Sequence, residues 1–160
     1  MTTVLNWKKR WFSCVYQILA GDLHIGTLKE KAFSQSAIGT IDGKRYKFRM
    51  RGMFRQLTEI VDLDENEVVG TISYSCWRPK ATVTLGEQQM YWKFRNLWET
   101  KWELSDFAGG NLSFNGCGNK GNIEMREGHD TMVLAGLYVA SYYKRMATIY
   151  AAAILPMLLM

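Results

Sequence analysis

The residues best suited to chemistry in this chain are cations on a segment of alternating polarity. Residues 44–51 spell KRYKFRMR, and no acidic residue follows before position 55. Tyr46, Phe48 and Met50 recur with a period of two, which indicates a strand with one buried face. The opposite face and the two flanks then supply six candidate cations. They are Lys44, Arg45, Lys47, Arg49, Arg51 and Arg55.

Two interpretations of this basic strand are open. Guanidinium groups donate paired hydrogen bonds that match phosphate, so the row is a candidate site for acidic phospholipid head groups. Each cation near an acidic leaflet adds about 1 kcal/mol. Alternatively, the row is a solvated outer face neutralised by neighbouring acidic strands. Lys8, Lys9 and Arg10 lie between Trp7 and Trp11, and this cluster either extends the basic surface or packs on the domain.

The sequence offers no arrangement typical of catalysis or of a metal site. It has 2 histidines, His24 and His129, and neither lies at a telling spacing from a nucleophile or a carboxylate. Residues 116–121 match GxGxxG, but a dinucleotide site needs a helix next, and 122–126 has strand character. Residues 62–66 begin like a calcium loop and lack its later glycine and glutamate. We expect a protein that is not an enzyme and has no cofactor or metal site, with weak calcium binding left open.

The last thirty residues form an almost uncharged segment. From Thr131 to Met160 the only charges are Lys144 and Arg145. The run before them is shorter than the roughly 20 residues that span a bilayer. A span that joined both halves would place two cations near mid-membrane, at a cost of a few kcal/mol each. A segment that is apolar on every side must nevertheless be buried, so we predict a helix enclosed by the rest of the chain.

The remainder of the chain carries short strand patterns separated by turn signals. Asp42-Gly43, for example, predicts a two-residue hairpin. The predicted strands are 12–19, 23–28, 38–41, 45–51, 57–63, 68–74, 80–85, 89–94, 98–104, 111–114 and 122–126. This rhythm is typical of barrels and sandwiches, and closure removes unpaired edges. We predict a mainly β protein, a closed antiparallel β-barrel of about 12 strands around a central hydrophobic C-terminal helix.

With this order of elements the chain resembles the tubby C-terminal-like superfamily, which includes phospholipid scramblases and LURP-one-related proteins. The resemblance covers roughly residues 12–145. It rests on Ile25-Gly26-Thr27, Val69-Gly70-Thr71-Ile72 and Gly136-Leu137-Tyr138, and on the tryptophan-rich strands between them, with Tyr91-Trp92-Lys93, Trp98, Trp102-Glu103-Leu104 and Asp106. It implies a twelve-stranded barrel with the helix threaded through its centre. It also implies binding of phosphoinositide head groups through basic residues.

The expected domain organisation is one barrel domain over 1–145, with its central helix at about 131–145, and an apolar tail over 146–160. The tail should emerge from the barrel, because 131–145 already covers roughly 22 Å as a helix. It then either packs on the barrel or a partner chain, or serves as a membrane foot. The residues expected at the membrane are Lys144, Arg145, Leu155, Leu158 and Leu159.

Composition and charge distribution limit the classes of partner that the protein is expected to bind. The net charge is +5, but residues 1–60 carry 11 Lys/Arg against 4 Asp/Glu (+7), while 61–130 carry 7 against 11 (−4). The acidic second half and the lack of a basic helix or RNP motif disfavour nucleic acid. The N-terminal segment has no apolar run after its charges, so we do not expect it to act as a secretory signal. The 3 cysteines fit no metal spacing, so we expect reduced, mostly buried thiols in a cytoplasmic protein, with peripheral attachment to a membrane.

The function that these observations favour is a non-enzymatic binding module at a membrane surface. Its basic strand would recognise acidic phospholipid head groups. The alternative is a structural or interaction protein that self-associates through its apolar C-terminal tail, with a homo-oligomer as the product.

Overall fold

The structure, a computed structural model, describes residues 2–31, 36–51, 57–127 and 129–160. These residues form twelve strands and one helix. The elements are β1 (Thr3–Lys9), β2 (Val15–Ala20), β3 (Leu23–Glu30), β4 (Ala37–Ile41), β5 (Lys44–Arg51), β6 (Leu57–Asp62), β7 (Glu67–Tyr74), β8 (Lys80–Leu85), β9 (Gln88–Phe94), β10 (Lys101–Ser105), β11 (Asn111–Cys117), β12 (Lys120–Glu127) and α1 (Asp130–Leu158).

The strands form a closed up-and-down barrel. Each pairs antiparallel with its neighbours in sequence, and β1 also pairs with β12. Closure leaves no strand with a free row of backbone donors and acceptors. The predicted closed antiparallel barrel is therefore confirmed. The strand that closes it, β1, was not among the predicted strands, although its Leu5 and Trp7 are buried.

The alternation in the basic strand has the predicted consequence. Tyr46 and Phe48 of β5 are buried and Met50 is half-buried, while the cations between them lie on the outer wall. The turn at Asp42-Gly43 joins β4 to β5 as the hairpin signal predicts. Phe48 stacks on Tyr138 of α1, with ring centroids 4.8 Å apart. The inward face of the strand therefore contributes directly to the contact between wall and helix.

The first half of α1 fills the barrel. Every residue from Thr131 to Tyr142 is buried, which a helix can achieve only if protein surrounds it on all sides. Gly136 is required by close approach, because a Cβ there would lie 2.3 Å from Cζ of Phe114. These observations explain why the segment has no polar stripe.

The helix is longer than predicted. It continues past the expected end at residue 145, through Lys144 and Arg145, and ends at Leu158. No helix-breaking residue occurs in this stretch until Pro156, which lies in the last turn and can no longer stop the helix early. The segment predicted as a separate tail is thus the second half of a single helix.

The connections between strands lie at the two ends of the barrel. We call the end where α1 begins the entry end, and the end where it leaves the exit end. Because an up-and-down chain reverses at every strand, alternate connections lie at the same end. Residues 10–14, 75–79, 95–100 and 118–119 are exit-end connections. The turn at Asp42-Gly43 belongs to the entry end.

Two predicted strand starts and the predicted thiol burial were wrong. Phe12 lies outside β2, with a positive φ of 60°, and Trp98 lies outside β10. Both are in exit-end connections rather than strands. Cys14, Cys76 and Cys117 are all exposed, because each lies in or beside an exit-end connection and not on an inward strand position.

Candidate functional site

The arginines of the basic strand are already engaged by carboxylates. Arg45 Nη2 lies 3.1 Å from Asp64 Oδ1. Glu59 on β6 accepts from Arg49 Nη2 at 2.7 Å and from Arg51 Nε at 2.8 Å. The hydrogen bond from Arg49, followed by that from Arg51, holds the pKa of Glu59 below its usual range. This is the neutralised outer face that the sequence left open as the second interpretation.

Two lysines of the basic strand, unlike its arginines, are not paired with a carboxylate of the described residues. Within the described part of the chain, Lys44 and Lys47 form no ion pair with a carboxylate. Arg55 lies outside the described residues. The row also runs along the barrel wall, since Arg45 and Arg51 are six positions apart and a strand rises about 3.3 Å per residue. A flat surface pressed against one barrel end would meet only one end of the row.

The ends of the barrel carry opposite charge. The described entry-end connections contain six acidic residues and neither lysine nor arginine. These acids are Asp22, Asp42, Asp64, Glu65, Glu87 and Asp106. The described exit-end connections contain four cations and only one acid, Glu99. The cations are Arg10, Lys31, Arg78 and Arg95. An acidic membrane would therefore attract the exit end and repel the entry end.

The exit end also exposes large apolar side chains. Trp77 is 95% exposed, Trp98 is 85% exposed and Trp11 is 72% exposed. Phe12 and Leu97 beside them are almost fully exposed as well. Tryptophan and cations at one surface are typical of a membrane–water interface. Of these residues, Trp11 flanks the Lys8–Arg10 cluster that the sequence left open as an extension of the basic surface. Trp77 and Leu97 were not predicted as site residues, and Phe12 and Trp98 were predicted to begin strands.

The second half of α1 projects from this end. The helix is half-buried from Tyr143 to Met146 and exposed from Ala147 onward. No charged side chain follows Arg145. The exposed large side chains there are Ile149, Tyr150, Ile154, Leu155, Met157 and Leu158, followed by Leu159 and Met160 beyond the helix. From Ala147 to Leu158 the projection is about 18 Å at roughly 1.5 Å per residue.

The structure brings the predicted membrane-contact residues together at one end of the barrel. Lys144 and Arg145 lie at the exit end, where the helix that bears Leu155 and Leu158 leaves the barrel. Of the β5 cations only Arg51 ends the strand at the exit end, while Lys44, Arg45 and Lys47 lie along the wall toward the entry end. Among the described residues, no helix is both long and apolar enough to cross a membrane.

A cavity of about 510 Å³ opens beside the helix at the exit end. Lys9, Lys144 and Arg145 line it together with the carboxylate of Glu30 and the ring of Trp102. The ammonium of Lys144 lies 4.8 Å from the ring centroid of Trp102. Burial, more than any neighbouring charge, lowers the pKa of Lys144.

The entry end has a cavity of about 660 Å³ of the opposite character. Asp42, Asp62, Glu67 and Asp130 contribute carboxylates to its lining. A hydrogen bond with Asp42 is the main cause that raises the pKa of Asp130 to about 6, followed by burial and the Asp42 charge. Within the residues that the structure describes, no group of three or more His, Cys, Asp or Glu side chains is placed to hold a metal ion.

Comparison with family models, curated proteins and solved structures found no match. The resemblance to tubby-like barrels is neither supported nor contradicted by these comparisons. The class that the structure defines is a closed twelve-stranded antiparallel barrel with a helix inside it.

Proposed function

We propose that this protein is a non-enzymatic module that attaches peripherally to acidic membrane surfaces through the exit end of its barrel. The observation that carries the proposal is the second half of α1, which is apolar, uncharged and exposed from Ala147 to Leu158. It leaves the barrel at the end that also bears exposed tryptophans and excess positive charge. Leu155, Leu158 and Leu159, with Lys144 and Arg145 behind them, are the proposed membrane contacts.

The length of the projection suits one leaflet. The hydrocarbon core of a bilayer is about 30 Å thick, so one leaflet is about 15 Å deep. The projection of about 18 Å matches that depth and falls well short of the full core. Backbone hydrogen bonds inside a helix are satisfied internally, so its insertion leaves few polar groups unpaired in lipid.

The rim of the exit end supplies the remaining interactions. Trp11, Trp77 and Trp98 would lie at the head-group level, where indole rings are favoured. Lys144 and Arg145 follow the last buried turn of the helix, and their long side chains would reach phosphates at the same depth. Each cation near an acidic surface adds about 1 kcal/mol. Acidic lipids are concentrated in the cytoplasmic leaflet, which supports a cytoplasmic location.

The basic strand has a smaller role in this proposal than the sequence predicted. Its arginines hold Asp64 and Glu59, so lipid phosphates would have to displace carboxylates. Lys44 and Lys47 are the two described cations of the row without such a pair. Head-group recognition by β5 therefore rests on these lysines, and Lys44→Gln/Lys47→Gln tests it without breaking an arginine pair.

Vesicle co-sedimentation of the full chain tests the proposal. We expect binding to vesicles that contain acidic lipid, and much weaker binding to zwitterionic vesicles or at high salt. A Leu155→Glu/Leu158→Glu variant should lower partitioning about a hundredfold, because burial of each leucine is worth at least about 1.5 kcal/mol. The matched control is Leu23→Glu/Phe107→Glu, which changes two exposed apolar residues at the entry end.

Equal loss of binding in the test and control variants would overturn the proposal. So would full binding by the Leu155→Glu/Leu158→Glu variant. If only Lys44→Gln/Lys47→Gln abolished binding, the lipid site would be the basic strand instead of the exit end.

The same exposed helix also favours the alternative, self-association through the tail. An apolar surface of this kind is as well covered by a second copy as by lipid. Light scattering during size exclusion separates the two. A stable oligomer that the Leu155→Glu/Leu158→Glu variant converts to a monomer, with no vesicle binding by either chain, would establish self-association.

A further inference from the structure

The exit-end cavity has the features of a binding site rather than of a packing defect. Its volume of about 510 Å³ falls in the range of small-ligand sites, about 300–1,000 Å³. It lies between α1 and the wall formed by β1, β2, β3 and β10. Its lining combines apolar side chains of α1, which are Leu137 and Ala140 within the barrel and Ile149 toward the exit end, with charged side chains.

The charge in the cavity is positive and concentrated. Lys9 and Lys144 both lie over aromatic faces, at 5.0 Å from the ring centroid of Tyr16 and 4.8 Å from that of Trp102. Burial is the main cause that lowers the pKa of Lys144; of the neighbouring charges, Glu99 opposes this effect and Lys9 adds to it. Two lysines that repel one another in a half-buried place gain from an anion between them.

Two buried polar atoms in the lining have no partner among the described residues. They are the indole N–H of Trp102, a residue that is 1% exposed, and Oε1 of Glu30, a residue that is 6% exposed. Buried donors and acceptors are normally satisfied, and each unpaired one is unfavourable because it has lost its hydrogen bonds to water. A ligand that brings an acceptor to Trp102 and a donor to Glu30 would remove both costs.

The formal charges select the class of ligand. Lys9, Lys144 and Arg145 contribute three positive charges and Glu30 one negative charge, which leaves +2. A phosphate monoester carries about −1.5 to −2 at pH 7, whereas a phosphodiester carries about −1. The monoester is therefore the better match. A hydroxyl group beside the phosphate would supply the donor that Glu30 lacks.

We infer that this cavity binds the phosphate monoester head of a glycerol phosphate, with the phosphate between Lys9 and Lys144, a hydroxyl at Glu30 and the first carbons of an acyl chain along Ile149, which lines the cavity toward the exit end. The inference rests on the proposed function only for the source of the ligand, because the cavity opens at the end that faces the membrane. The soluble source is glycerol phosphate itself, and the membrane source is a monoacyl glycerol phosphate.

Titration calorimetry of the full chain with soluble probes tests the inference. The probes are 1-hexanoyl glycerol 3-phosphate below its micelle concentration, glycerol 3-phosphate, and 1-hexanoyl glycerol 3-phosphocholine. We expect saturable binding of the first, at least tenfold weaker binding of the second if the lipid is the natural source, and none of the third. Equal affinity for the first two would assign the site to a soluble phosphate monoester.

The variants place the binding in the cavity. Lys9→Gln and Lys144→Gln should each weaken binding of the hexanoyl phosphate at least tenfold. Lys8→Gln is the matched control, since Lys8 is the exposed neighbour of Lys9 and does not line the cavity. No saturable binding by the unaltered chain, or an equal loss in Lys8→Gln and Lys9→Gln, would overturn the inference.

A parallel vesicle assay keeps the two proposals apart. If the chain sediments with acidic vesicles and binds no soluble phosphate, the cavity inference fails and the proposed function stands. If the hexanoyl phosphate binds with the predicted sensitivity to Lys9→Gln, and vesicles are not bound, the cavity inference stands without the proposed function.

Discussion

The indole N–H of Trp92 donates a hydrogen bond of 3.1 Å to the main-chain carbonyl of Gly136, and so connects the barrel wall to the helix inside it. The bond is buried, where its loss leaves an indole N–H without an acceptor. Together with the stacking of Tyr138 on Phe48, it holds α1 at one position along the barrel axis. Because α1 is continuous, these contacts also set how far its exposed half projects from the exit end.

The tight packing at Gly136 gives a stability prediction. In Gly136→Ala the new Cβ would meet the ring of Phe114 at 2.3 Å, so the ring or the helix must shift. We expect a loss of about 1–3 kcal/mol in the free energy of unfolding, measured by urea denaturation. Ala152→Val adds more bulk to the exposed half of the same helix and should change stability by no more than about 0.5 kcal/mol. Equal effects of the two substitutions would contradict the enclosed helix.

The pair of aspartates at the entry end predicts a pH dependence. The pKa of Asp130 is raised from 3.8 to about 6, so the folded state binds a proton that the unfolded state releases. Stability from this group is present below pH 3.8 and is lost as the pH rises towards about 6. Asp130→Asn should remove that loss and stabilise the protein at pH 7 by no more than about 1 kcal/mol, because the site is partly solvated.

Thermal denaturation between pH 3 and pH 8 measures this effect. Asp22→Asn, in an exposed turn at the same end, is the control and should follow the unaltered chain. The prediction would fail if Asp130→Asn and the unaltered chain differed in stability by the same amount at pH 4 and at pH 7.

The pairing of Glu59 with two arginines predicts the opposite pH behaviour. Its pKa is lowered from 4.5, mainly by the hydrogen bond from Arg49. Its stabilising contribution is therefore present above pH 4.5 and is lost as the pH falls through the lowered value. Glu59→Gln should flatten the acid side of the stability curve.

The same variant also separates the two lipid surfaces. Glu59→Gln frees the guanidiniums of Arg49 and Arg51 on the outer wall. If the basic strand were the lipid site, both freed guanidiniums would face lipid, and acidic vesicles would bind this variant about thirtyfold more tightly than the unaltered chain. Under the exit-end proposal only Arg51, which ends β5 at the exit end, is near the surface, so the gain is limited to about 1 kcal/mol, or about fivefold.

Much of the fold could be predicted because its local signals agree. The hairpin at Asp42-Gly43 and the alternation of Tyr46 and Phe48 each specify one strand pair, and the apolar run after Asp130 demands burial on all sides. β1 was not predicted because Lys8 and Lys9 were interpreted as part of a basic surface cluster and not as strand residues. The alternation of Leu5 and Trp7, which marks the inward face, was visible in the same seven residues.

The candidate site could be predicted only in part. The charge difference between the two barrel ends follows from the rule that alternate connections share an end. The net charges of residues 1–60 and 61–130 do not show it, because each half of the sequence contributes connections to both ends. The exit-end cavity could not be predicted, because it depends on where one turn of α1, at Lys144, meets strands distant in sequence. The pairing of Arg49 with Glu59 likewise required the register of β5 against β6.

The exposed cysteines allow a direct test of orientation at the membrane. Cys14, Cys76 and Cys117 all lie at the exit end, so vesicle binding should shield them from a polar maleimide. We expect their labelling rates, resolved by mass spectrometry, to fall at least about fivefold when the acidic vesicles are in excess. A cysteine introduced at the entry end by Glu87→Cys should keep its rate, since that end faces away from the lipid. Uniform protection of all four would indicate aggregation, and no protection of the native three in sedimenting protein would mean that another face binds the vesicle.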